Sequence, residues 1–74
     1  MGQETIEVPI TGKIISVSVK TGDKVKEGDT LCFLESMKME NPILAPVEGT
    51  ITQIGIVAEQ VVKPGETIAI IDYE

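Results

Sequence analysis

Slid against itself by 37 positions, the sequence lays residues 2–37 over residues 39–74 without a gap. Ile6, Pro9, Gly12, Ile14, Val25, Lys26, Gly28 and Thr30 fall on Ile43, Pro46, Gly49, Ile51, Val62, Lys63, Gly65 and Thr67. Conservative pairs fill the spaces between them: Val17 with Ile54, Val19 with Ile56, Leu31 with Ile68, Phe33 with Ile70, Leu34 with Ile71, Glu35 with Asp72. A period of this length marks one supersecondary unit used twice. A unit of roughly 40 residues or fewer rarely closes a core alone. The two halves must therefore bury their apolar faces against each other, about an approximate two-fold axis.

Each half reads as four short strands. The first half places them at about 5–10, 13–19, 24–26 and 30–35, the second at about 42–47, 50–57, 61–63 and 67–72. Ile15, Val17 and Val19 alternate with Ser16 and Ser18, the period of a half-buried strand. Gly12, Gly22, Gly28, Gly49 and Gly65 are expected as turn glycines, and Val25 and Val62 as short apolar anchors between turns. The apolar residues are mostly Val, Ile and Leu, with Phe33 and Tyr73 the only aromatics. β-branched side chains suit a pleated sheet better than a helix. No stretch carries a helical period. The expectation is one all-β domain over residues 1–74, a flattened barrel or sandwich of about eight short strands.

The repeat leaves one internal residue without a partner, and it is Lys38. Symmetry pairs this junction with the chain ends, which puts Lys38 at one pole and the termini at the other. The strand Thr30–Glu35 runs in and the segment Asn41–Ala45 returns, so Ser36, Met37, Lys38 and Met39 form the link. A tight hairpin prefers Asn-Gly or Gly-Gly, because its favoured turns need positive φ. Met-Lys suits that geometry badly, while every other turn is expected to have its glycine. A local rule broken at one place points to function. An amine fixed at a hairpin tip can be reached by an acylating enzyme, and exposed Met37 and Met39 offer soft contact surface to several partners. Periodicity and symmetry alone still leave open a plain solvated lysine between two filler methionines.

Charge and residue inventory exclude several classes. Net charge is −6, with no Arg and no His. Such a chain is poorly made for nucleic acid, which is held through cationic contacts to phosphate, or for anionic membranes. No apolar run suggests direct membrane insertion or a secretory signal, which gives a cytoplasmic setting as the default. Catalysis by the chain itself would need a nucleophile with its base, or a metal cluster. One Cys and no His supply neither, so no catalytic and no metal residues are expected. Cys32 aligns with Ala69 and reads as a small packed residue. The amine must lose a proton before acylation, and without His that base must come from a modifying enzyme.

The segment Glu35-Ser36-Met37-Lys38-Met39-Glu40 resembles the biotinylation signature of biotinyl domains, commonly Ala/Ser-Met-Lys-Met. Val8-Pro9-Ile10-Thr11-Gly12 is similar to the family's Pro-x-x-Gly segment. The run Val19 to Leu31 is similar to its Val-x-x-Gly-Asp-x-Val-x-x-Gly-x-x-Leu run, and Ala45 to Ile51 to its Ala-Pro-x-x-Gly-x-Ile/Val segment. The resemblance spans nearly the whole chain. It implies the biotin carboxyl carrier fold: two four-stranded antiparallel sheets with the target lysine on a hairpin. It further implies that a biotin protein ligase joins biotin to Lys38. The carboxybiotin then shuttles a carboxyl group between the biotin carboxylase and carboxyltransferase sites of a biotin-dependent carboxylase, transcarboxylase or decarboxylase. By the same resemblance Met37 and Met39 are flanking recognition residues, and Ser36, Glu35 and Glu40 are secondary ones.

Three departures stand out. Ser36 replaces the commoner Ala. Glu59 stands where many members carry Gly, so that turn is expected to differ. Thr21 to Asp23 leaves no room for a protruding "thumb", which resembles the thumbless carriers of pyruvate and propionyl-CoA carboxylases, transcarboxylases and ion-pumping decarboxylases. Two rivals remain. A lipoyl domain of a 2-oxo acid dehydrogenase complex shares the fold, but usually carries Asp-Lys-Ala. A non-covalent interaction module would use an edge strand or the Pro42–Pro46 segment, for which the sequence offers no aromatic groove.

Overall fold

A sheet surface of β-branched residues must be covered on one side, and this chain covers one sheet with another. The computed structural model describes residues 2–73. Eight strands follow in order: β1 Gly2–Glu7, β2 Gly12–Val17, β3 Lys24–Val25, β4 Thr30–Ser36, β5 Met39–Leu44, β6 Gly49–Ile54, β7 Val61–Val62 and β8 Thr67–Tyr73. They form two four-stranded antiparallel sheets, ordered β1-β8-β6-β3 and β5-β4-β2-β7. The expected all-β architecture is the one observed. Among the described residues no helix is long and apolar enough to cross a membrane.

The 37-residue shift maps each strand of one sheet onto a strand of the other, β1 on β5, β2 on β6, β3 on β7 and β4 on β8. The halves are therefore not two lobes packed face to face. Each sheet takes two strands from each half, so the halves are interwoven. The backbone obeys the same symmetry in detail. Gly22 N–H donates to Ile51 O at 2.7 Å, and Glu59 N–H to Ile14 O at 2.7 Å. Lys20 N–H is capped by Asp23 Oδ2, and its counterpart Val57 N–H by Gln60 Oε1, both at 3.0 Å.

The core is apolar throughout: Ile14, Leu34, Ile51, Val62 and Ile71 are fully enclosed, and no polar side chain is buried with them among the described residues. Val25 and Val62 are the anchors expected of them. Two adjacent residues are buried at Leu31-Cys32 and again at Ile68-Ala69, which strict alternation forbids. Bulges resolve this: the register slips between Thr30 and Cys32 against β5, and between Ile6 and Glu7 against β8. An extra residue on one strand turns two successive side chains inward. Matching slips between Ile14 and Ser16 and between Ile51 and Gln53 put Ile14 and Ile51 in the core. Ile15, expected to share a face with Val17 and Val19, is the bulge residue; all three are half-buried, but Val17 and Val19 pack against the core and Ile15 is not among the residues that do.

Two further expectations are corrected. β1 and β5 begin at Gly2 and Met39, three residues before the expected starts, because these edge strands carry polar residues that hide them from a hydrophobicity reading. Gly12 and Gly49 are not turn glycines. Each opens a strand and lies against the neighbouring strand, where a Cβ would overlap the carbonyl oxygen of Glu35 or Asp72 respectively. Gly22, Gly28 and Gly65 are turn glycines, with φ of 97°, 93° and 93°.

Candidate functional site

β4 and β5 pair as a hairpin with Ser36 opposite Met39, Glu35 opposite Glu40 and Leu34 opposite Asn41. Met37 and Lys38 are its two-residue tip, at φ 54° and 66°. Positive φ at both central residues matches the twist of the flanking strands. The chain thus adopts the turn its residues suit badly, rather than avoiding it. A non-glycine residue in this region costs about 1–2 kcal/mol. Ladder pairing beneath the tip holds the turn against that cost. Asn41 adds to it, its Nδ2 donating to Leu34 O and Met39 O at 3.4 Å each.

The same ladder fixes where each candidate residue points. Lys38 is exposed, and its amine makes no ion pair among the described residues. Met37 is 91% exposed and Met39 65%, so both are surface rather than core filler. Ser36 is half-buried at the top of the inner face, whereas Glu35 and Glu40 are exposed and face each other across the outer face. Two carboxylates directly opposed repel. Glu35 also lies opposite Lys13, whose Nζ is 3.1 Å from Glu59 Oε1. All six predicted site residues are therefore gathered at one end of one hairpin.

Sequence reasoning missed two contributors. Asn41 falls on Glu4 in the repeat, and this broken match was its only signal. Gly12 supports Glu35 from the adjacent strand; its exact match with Gly49 marked a shared need, but not that the need was close packing. Glu59 corrects a third reading. It takes φ 75°, as its counterpart Gly22 takes 97°, so the turn keeps its form without a glycine. The tip of β4–β5 is thus not the one turn lacking glycine.

Cys32 is enclosed in the core and unpaired, and burial pushes its thiol up to about 11. It packs where Ala69 packs in the other half. Among the described residues no group of three or more His, Cys, Asp and Glu side chains forms a metal-binding cluster.

A two-sheet sandwich that presents an exposed lysine at the tip of a paired hairpin has the arrangement of a carrier-type domain. The family model "Biotin-requiring enzyme" matches residues 4–71, and the chain belongs to this biotin/lipoyl family. It is 38% identical over 68 residues to a biotinylated protein TB7.3 homolog of Mycobacterium leprae, covering 92% of this chain and 96% of that one. It is 48% identical over 52 residues to the methylmalonyl-CoA decarboxylase subunit gamma of Veillonella parvula, covering 70% of this chain and 40% of the relative. The solved urea carboxylase of Kluyveromyces lactis superposes with a TM-score of 0.88 at 26% identity, covering 97% of this chain and 6% of that one.

Proposed function

We propose that this chain is a biotin carboxyl carrier domain and that Lys38 is its attachment residue. The observation that carries this is the exposed Lys38 amine on a two-residue positive-φ tip, flanked by exposed Met37 and Met39. The residues present fit the group: an amide needs a solvent-facing amine with no competing partner, and this one has neither cover nor counter-ion among the described residues.

The chain's own work is positional. The hairpin fixes the Lys38 Cα, while the four-carbon stem leaves Nζ free to move. Nζ is the nucleophile that attacks the carboxyl carbon of ligase-activated biotin, forming the amide as the activating group departs. A biotin protein ligase supplies the ATP-driven activation of that carboxyl and the base that takes the amine proton. When bound, biotin supplies a ring nitrogen that accepts and gives up a carboxyl group. The body then acts as a non-catalytic mount whose partners are biotin carboxylase and carboxyltransferase subunits or domains. Tight Thr21–Asp23 spacing favours the thumbless type of carrier. A buried unpaired thiol fits a reducing, cytoplasmic setting.

The test is incubation with biotin, ATP and a biotin protein ligase, with lipoate and a lipoate ligase in parallel, followed by tandem mass spectrometry. One biotin per chain, located on Lys38, is expected. Preferential lipoate addition would replace this reading with a lipoyl carrier, and an unmodified chain with a non-covalent module.

A further inference from the structure

The two halves agree in the core and differ on the surface, and the difference has a direction. Exposed Lys20 and Lys24 of the first half correspond to Val57 and Val61 of the second, which are 66% and 68% exposed. The shallow groove beside Lys24 is lined by Lys24, Lys26, Glu27, Glu48 and Asp72. Symmetry places Val61, Lys63, Pro64, Thr11, Glu35 and, for Thr50, Lys13 around its counterpart, so five charged residues become three. The less charged version adjoins the hairpin. Across the outer face, Glu40, Glu35, Lys13 and Val61 form one cross-strand row directly below the tip. Val57 flanks the same edge, joined to Gln60 across the turn that precedes β7.

Resting on the reading of Lys38 as the acylated residue, we propose that the β7 edge, centred on Val57 and Val61, is the docking face for the biotin protein ligase. Reach selects this occupant. An unmodified lysine offers only its own stem, so the enzyme that first acylates it must come close to the body of the domain. Enzymes acting later on the attached group meet it at the end of a longer arm. Charge selects the chemistry of the partner surface. Glu59 lies between the two valines in the chain and engages Lys13, the cross-strand neighbour of Val61, while Glu35 and Glu40 continue the row towards the opposite edge of the sheet. The fitting ligase surface is apolar at its centre and basic at its rim.

The repeat supplies the variant. Val57→Lys with Val61→Lys installs the residues the first half already carries at equivalent exposed positions. Lys20→Val with Lys24→Val is the reciprocal control. With biotin protein ligase, biotin and ATP, the first variant is expected to raise the carrier KM about tenfold with kcat unchanged. The reciprocal variant is expected to leave both unchanged, and added salt to raise the KM of the parent chain. Should the valine variant melt early, methyl NMR of the unsubstituted chain decides: ligase must perturb Val57 and Val61 more than Leu44, which is also exposed but lies at the far end of β5. An unchanged KM, or Leu44 perturbed as strongly, overturns the docking face while labelling at Lys38 stands. No labelling of the parent chain overturns both.

Discussion

Replacing Gly12 by Ala adds one methyl group where the structure has no space for it. Gly12 lies outside the left-handed region, so the backbone itself would accept Ala. The obstacle is contact: the new Cβ would overlap the Glu35 carbonyl oxygen and sit 2.9 Å from Leu34 Cδ1. Leu34 is fully buried, so it cannot simply swing away. Overpacking of this kind costs about 1–3 kcal/mol. For a domain of this size, about 2 kcal/mol lowers Tm by about 8–16 °C. The repeat provides a matched control, because Ala at Gly49 meets Asp72 O and Ile71 Cγ2 in the same way. Both variants should lose similar stability by calorimetry. Only Gly12→Ala displaces Glu35, which precedes the hairpin tip, so only it should slow labelling of Lys38 well below its Tm. A fall of less than about 2 °C in both variants would refute the contact argument. Equal slowing of labelling by both would refute the link to the hairpin.

Two further outcomes follow from the same reasoning. Glu59→Gly should raise stability by about 0.5–1 kcal/mol, since it relieves φ 75° and gives up only an exposed ion pair with Lys13; thermal melts check it, and a lowered Tm would show the ion pair to dominate. The Cys32 thiol, raised by burial from 9.0 to about 11, ionises first in the unfolded chain. Stability should therefore fall as pH rises from 9.0 towards about 11, by up to about 1.4 kcal/mol per pH unit, and Cys32→Ala should abolish that slope.

The repeat made most of the fold legible, because paired positions such as Ile14 with Ile51 and Val25 with Val62 share one structural need. What it hid has physical reasons. Met39, Glu40 and Asn41 are strand residues held by ladder hydrogen bonds rather than by burial, so their polarity concealed β5. The bulges at Leu31 and Ile68 break the two-residue period on which strand faces are read. Gly12 shows that a glycine can answer a close approach as well as a turn. The interweaving of the halves was invisible because an internal repeat reports equivalence, not which strands pair. At the site, Lys38 stood out as the residue without a counterpart, whereas Asn41 had only a broken match to mark it.

The proposed carrier function rests on one amine among six lysines. Lys38→Arg keeps the charge and length of the side chain but removes the acylable amine. After incubation with biotin, ATP and biotin protein ligase, intact mass spectrometry of the parent chain should show one added biotin and the variant none, with Tm unchanged. Biotin found on the Arg variant, at any of the five remaining lysines, would contradict it.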